Sequence, residues 1–159
     1  MKKYIILLLT TLLIACSNVK TEQGSFVNTD CNIPIIECVL GVDTVDMIVD
    51  TGAEYSLIDS KYLENNECFT VVNSIETQFS GIGGVNTQIS RIVSTKSSLG
   101  HITFVEQNLD AVVKSLPNYN IAGLIGSDFL KSRNYIVDYK SRKIYPYEQL
   151  DSIYGKSYN

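Results

Sequence analysis

Met47-Ile48-Val49-Asp50-Thr51-Gly52-Ala53 is the segment of this chain best equipped to do chemistry. Three apolar residues deliver Asp50 at the end of a buried strand. Gly52 lets the chain turn sharply and brings backbone N–H groups towards the carboxylate. Thr51 offers a hydroxyl that can lock the loop from below, and Ser56-Leu57-Ile58 resumes the apolar pattern. A lone surface aspartate, with a pKa near about 4, is ionised at neutral pH and has no acid partner. Two carboxylates held close cannot both ionise, so one keeps its proton. Such a pair offers a base that activates a water and an acid that donates to a scissile carbonyl. It titrates as a unit. Asp-Thr-Gly occurs once in the chain. Asp128 and Asp138 lack the Thr-Gly context and are read as a helix cap and a turn residue.

Other chemistries find less support. His101 is the only histidine and has no nucleophile partner, because no Gly-x-Ser-x-Gly is present. It is read as a strand histidine with its bonds satisfied. The cysteine spacing matches no zinc pattern, so no metal is expected. The glycine-rich run at Gly81 to Gly84 has neither the Walker lysine nor the dinucleotide spacing. No cofactor is expected. A net charge of −4 implies no particular partner. With no basic run and no aromatic-basic stripe, nucleic-acid binding is not predicted.

The elements that must position Asp50 read as short strands. Trp is absent, Tyr is plentiful and β-branched residues recur, which leans towards β structure. Ile33 to Leu40 predicts a strand whose start Pro34 places at an edge. Gly41-Val42-Asp43 predicts a turn, and Thr44 to Val49 a second strand. A short helix is predicted over Ser60 to Asn65. Val71-Val72 and Glu76 to Phe79 are further strand pieces, followed by a glycine turn and the alternating Val85, Thr87 and Ile89: a hairpin signature. His101 to Val105 and Leu109 to Val113 read as another strand pair, and Ser115 to Asn120 as a loop containing Pro117. Ile121 to Ile125 reads as a buried strand, and Ser127 or Asp128 can cap a short helix carrying Phe129 and Leu130. Tyr135 to Tyr139 and Lys143 to Tyr147 make a closing pair.

The Asp50 segment resembles the active-site loop of retropepsin-like aspartic peptidases: apolar residues, Asp-Thr-Gly-Ala, then Ser-Leu-Ile. Phe79-Ser80-Gly81-Ile82-Gly83-Gly84 is similar to the family's flap tip. Gly123-Leu124-Ile125-Gly126 resembles the apolar-apolar-Gly strand that threads past the catalytic loop. Ser127-Asp128-Phe129-Leu130 is similar to the helix start of the cellular and bacterial branch, and Ile136 to Tyr139 with Lys143 to Tyr145 resembles its closing strands. The resemblance spans about Ile33 to Tyr147. It implies a mainly β, retropepsin-like closed barrel of the acid-protease type, with a flap hairpin and one or two short helices. It further implies an aspartic endopeptidase with Asp50 as catalytic carboxylate. Thr51, Gly52 and Ala53 would support the loop, and Gly81, Ile82, Gly83 and Gly84 would form the flap over a peptide or protein substrate. With one Asp-Thr-Gly per chain, the second carboxylate should come from Asp50 of another copy across a twofold axis. Two departures stand out. Glu54-Tyr55 follows where smaller residues are usual, and Ser127 stands where retroviral members carry an arginine, which puts the retroviral style of dimer contact in doubt. The alternative is the same fold kept as a non-catalytic binding or structural lipoprotein.

The N-terminus stands apart. Lys2 and Lys3 precede an apolar run from Tyr4 to Ile14 that is too short to cross a bilayer, which needs about 20 apolar residues. It reads as a signal-peptide core. Leu13-Ile14-Ala15-Cys16 resembles a bacterial lipobox, which implies cleavage before Cys16 and lipidation of its thiol. Expected are a signal peptide over 1–15, a lipidated tether over 16–25, the peptidase domain over 26–150 and a loose tail over 151–159. The product would be exported and lipid-anchored to the cell envelope, and Ser17 after the cysteine permits outer-membrane sorting. Cys31, Cys38 and Cys68 remain, an odd number in an oxidising compartment: one disulfide with one free thiol, or three buried thiols.

Overall fold

The computed structural model describes residues 23–27, 33–81 and 84–155, with backbone alone for 77–81, 84–86, 153 and 154. The expected signal peptide, Cys16 and Cys31 lie outside the described residues. Hydrophobic alternation builds the first hairpin. In β2 (Ile35–Leu40), Ile36, Cys38 and Leu40 are buried, and in β3 (Asp43–Val49), Val45, Met47 and Val49 are buried. The two strands pair antiparallel from Ile35↔Ile48 to Leu40↔Asp43. The turn between them puts Gly41 at φ 63°, a left-handed conformation that favours glycine.

β4 (Leu57–Asp59) leads into α1 (Ser60–Glu64). Then come the long strands β5 (Thr70–Gly81) and β6 (Gly84–Ser97), β7 (Gly100–Gln107), α2 (Asp110–Ser115), β8 (Ile121–Ile125) and α3 (Ser127–Ser132). The main sheet runs β2-β3-β8-β4-β7-β6-β5, and a further pairing, Leu40↔Ser97, joins β2 to β6. That contact, with the Ser98 N–H donating to Val39 O (3.0 Å), closes six strands into a barrel. Its interior holds Ile36, Leu40, Met47, Ile58, Val93 and Phe104, all nearly fully buried. A smaller sheet of β1 (Gly24–Ser25), β10 (Lys143–Pro146) and β9 (Tyr135–Asp138) packs Ile144 onto this core. The mainly β fold, the barrel and the hairpin agree with the sequence.

Several expectations need correction. Leu109 to Val113 is not a strand: Leu109 holds the N-cap position of α2 and Asp110 to Val113 begin the helix, with the Val113 N–H donating to Leu109 O at 2.9 Å. A short apolar run does not distinguish the two by periodicity. Here Leu109 is buried with Val112 and Val113 half-buried beside it, a helical spacing. Asp110 in the first turn and Lys114 in the last also suit a helix dipole. The two strand pieces at Val71 and Glu76 are one strand, β5, interrupted only by a register shift between Val71 and Asn73. Gly24 and Ser25, assigned to the tether, pair with Ile144 and Lys143, so the folded domain begins before Phe26. The tail is not loose from its start: α4 (Leu150–Tyr154) follows a 3-10 turn at Tyr147–Gln149. Among the described residues there are thus four short α-helices rather than one or two. None is long and apolar enough to cross a membrane.

Cys38 and Cys68 are free thiols, so no disulfide joins them. Burial pushes the Cys38 thiol up, and Ser98 Oγ donates to its sulfur at 3.6 Å.

Candidate active site

β3 ends at Val49, and Asp50 follows it at the surface. The Asp50 N–H donates to Ile125 O (3.0 Å), because β8 runs parallel beside β3 with Val49 opposite Ile125. The carboxylate is fixed from its own loop: the Gly52 N–H donates to Asp50 Oδ1 at 2.9 Å, as expected. Gly52 does not adopt positive φ. Its value lies in closeness, since a Cβ there would stand 3.3 Å from that carboxylate oxygen. The Ala53 N–H closes the turn on Asp50 O at 3.2 Å.

The rest of the loop is stitched to the turn between β8 and α3. The Ser127 N–H donates to Ala53 O (2.8 Å) and the Asp128 N–H to Glu54 O (3.2 Å). Ser56, fully buried, donates its hydroxyl to Asp128 Oδ1 (2.7 Å) and accepts the Gly126 N–H (3.0 Å). Ser56 thus ties the loop to the β8–α3 turn. Thr51 is instead exposed and borders a groove of about 700 Å³ against Leu130, Tyr135, Ile136 and Val137. Asp128 does not cap α3 either. Gly126 holds the N-cap position without a side-chain bond, while Asp128 Oδ1 accepts from Ser56 and from the Phe129 N–H (2.7 Å). Asp138 does serve its turn, accepting the Lys140 and Ser141 N–H groups at 2.9 Å each. The Ser141 side chain first, then these backbone donors, hold its carboxyl below the usual range.

Glycines make this crossing possible. A Cβ on Gly126 would fall 2.5 Å from the Tyr55 carbonyl, and one on Gly123 would fall 2.2 Å from Leu57 O. Both are backbone atoms that cannot swing aside. Glu54 and Tyr55 are exposed next to the loop. The Glu54 carboxylate, and its hydrogen bond to the phenol, push the Tyr55 hydroxyl up.

The hairpin stands on the same ground. Ala53 and Ile75 of β5 pack against one apolar cluster of Leu57, Val105, Leu109 and Leu124. β6 pairs with β7 only from Ile92 onward. Before that, Ser74 to Gly81 and Gly84 to Arg91 pair with each other as a two-stranded arm. Gly81 and Gly84 face each other at its end, while Ile82 and Gly83 lie outside the described residues. His101 is an exposed strand residue of β7 whose carbonyl accepts from Arg133 Nη2 (3.1 Å). Among the described residues no cluster of three or more His, Cys, Asp or Glu could hold a metal ion.

A closed barrel that delivers an Asp-Thr-Gly turn and stitches it to a glycine-bearing strand has the build of an aspartic-protease fold. The chain belongs to the aspartyl protease family: that family's model matches residues 36–129, more than half of the chain. The matched span contains the Asp50 loop, the β5–β6 hairpin and the β8–α3 turn. Among solved structures, the chain is similar to the EIAV protease in complex with the inhibitor HBY-793, at 18% identity and TM-score 0.44, over 67% of this chain and 93% of that one. It is also similar to the retroviral protease-like domain of Ddi1 from Leishmania major, at 18% identity and TM-score 0.45, over 72% and 88%. No curated protein matches.

Ser56 and Asp128 were not singled out from the sequence as anchors of the loop. The available signal was a serine set between a turn and the buried Leu57-Ile58 run, where a hydroxyl must find an internal partner.

Proposed function

We propose that this chain is an aspartic endopeptidase whose catalytic centre is assembled from Asp50 of two copies. The observation that carries the reading is the fixed, exposed Asp50: its Oδ1 is held by the Gly52 N–H, and its loop is anchored on both sides to the β8–α3 turn. In the shared site one carboxylate takes a proton from water while the water oxygen bonds to the scissile carbonyl carbon. The other carboxylic acid gives its proton to the carbonyl oxygen. Collapse of the tetrahedral adduct breaks the C–N bond: the departing amine takes the proton that the first carboxylate had drawn from water, and the second carboxylate recovers its own from the adduct's hydroxyl as the carbonyl re-forms. Thr51, the residue after Asp50, and the apolar Leu130, Ile136 and Val137 line a groove on which a second copy would sit. The two-stranded arm would cover a peptide held in extended form by strand-like hydrogen bonds.

The chain would act outside the cytoplasm, tethered through lipid on Cys16. Anchoring both copies in one membrane raises their effective concentration and favours pairing.

The test compares the full-length chain with Asp50→Asn on a mixed peptide library over about pH 4 to 8. Cleavage that disappears in the variant supports the proposal. No cleavage by either protein, with dimers present, would leave the fold as a non-catalytic binding lipoprotein.

A further inference from the structure

Polar side chains tie the base of the arm to the barrel wall. Where β6 leaves β7, the Arg91 guanidinium grips the Glu106 carboxylate with two bonds, Nε to Oε2 at 2.6 Å and Nη2 to Oε1 at 2.8 Å. One step further out, Gln88 Nε2 donates to Gln107 Oε1. Arg91 is the last residue of the arm and Ile92 the first of β6 to pair with β7. Beyond this point Ile89 stands in solvent at 81% exposure.

The wall side of this contact leads to the active-site loop. Glu106 lies opposite Ile58 of β4, and the adjacent Val105 N–H donates to Ser56 O at 2.9 Å. Ser56 is the hydroxyl that anchors the Asp50 loop. One continuous run of bonded groups therefore connects the arm to the loop that carries Asp50.

We infer that Arg91 and Glu106, assisted by Gln88 and Gln107, are positioning residues: a clasp that sets how the arm is held over the Asp50 loop and so how tightly substrate is retained. The inference rests on the peptidase reading for its effect on substrate, but not for its effect on the arm. An exposed ion pair usually contributes little. This one is bidentate, and its carboxylate side chain is only 17% exposed, which places it among the stronger pairs. Holding the arm costs the free protein some conformational freedom before substrate arrives. Loss of the clasp should therefore weaken binding more than the chemical step.

The experiment is a double-mutant cycle on the full-length chain with Arg91→Gln, Glu106→Gln and both together. Amide exchange is followed in segments 74–81 and 84–91 and in β2 and β3, without substrate. Each single variant should speed exchange in the arm about threefold to fivefold while β2 and β3 hold. The double variant should match the worse single, because the pair acts as a unit. KM should rise by a similar factor, with kcat nearly constant. Unchanged exchange in the arm, equal acceleration in β2 and β3, or additive effects in the double variant would each overturn the clasp. If the unmodified chain cleaves nothing, the peptidase reading fails, and the exchange data alone decide the clasp.

Discussion

Ser56 is worth more to the site than its single hydroxyl suggests. It bonds Asp128 across a separation of 72 residues and takes up the Gly126 N–H as well. Ser56→Ala leaves a carboxylate oxygen short of one donor and a buried N–H without its acceptor. We expect a loss of about 1–3 kcal/mol in unfolding free energy, measurable by denaturant titration. A change within about 0.5 kcal/mol would mean that water substitutes for the hydroxyl without loss. Asp50 was legible in the sequence because its signal is local: an apolar strand, an acid and a glycine within seven residues, Met47 to Ala53. The anchors were not. Their partners are brought together only by the fold, and a serine or aspartate carries no mark of which distant backbone it will meet. Thr51 shows the converse: its place in the motif suggested a lock, yet in the single chain it faces a groove.

Among the elements, β8 is the most constrained. It runs parallel to β3 and antiparallel to β4, and Gly123 sits where a methyl group would strike Leu57 O at 2.2 Å. Gly123→Ala must push the strands apart, and we expect it to cost about 1–3 kcal/mol or more, read as a lower thermal midpoint. Wild-type stability in this variant would show that the β8–β4 crossing is slack. The strands were legible because alternation and flanking turns repeat along the chain. α2 was not, since five residues with two valines satisfy either period and only its packing against Leu57 and Leu124 selects the helix. The Arg91–Glu106 clasp adds a pH dependence at this scale. The Arg91 bond holds the Glu106 carboxyl below its ordinary value of 4.5, against partial burial that acts the other way, and Ser60 helps. Glu64 faces Arg91 as a more distant charge. A depressed carboxyl stabilises the fold above the unfolded value and loses that contribution as pH falls through the folded one. Protection of the arm, taken relative to the intrinsic exchange rate at each pH, should accordingly hold from neutral pH down to about 4.5 and fall below it, whereas Glu106→Gln should show no such step. A step that persists in the variant would assign the transition to another group.

At the scale of the whole molecule, one chain presents one Asp-Thr-Gly aspartate, exposed, beside a groove lined by Thr51 and the apolar residues of α3 and β9. Asp128 is engaged by Ser56 and the Phe129 N–H, so it is poorly placed to act as the second acid. The account therefore requires a second copy, and cleavage per chain should rise with protein concentration through the range where sedimentation shows dimers forming. Asp50→Asn should lower kcat by at least about 10²–10⁴-fold without preventing dimer formation.

The most direct measurement of the central claim is a mixing titration. The full-length chain is held at fixed concentration while the Asp50→Asn variant is added, with sedimentation recording dimers throughout. Shared carboxylates predict that cleavage falls in step with the fraction of mixed dimers. Cleavage that stays constant as mixed dimers accumulate, or that persists in a monomer, would contradict the account.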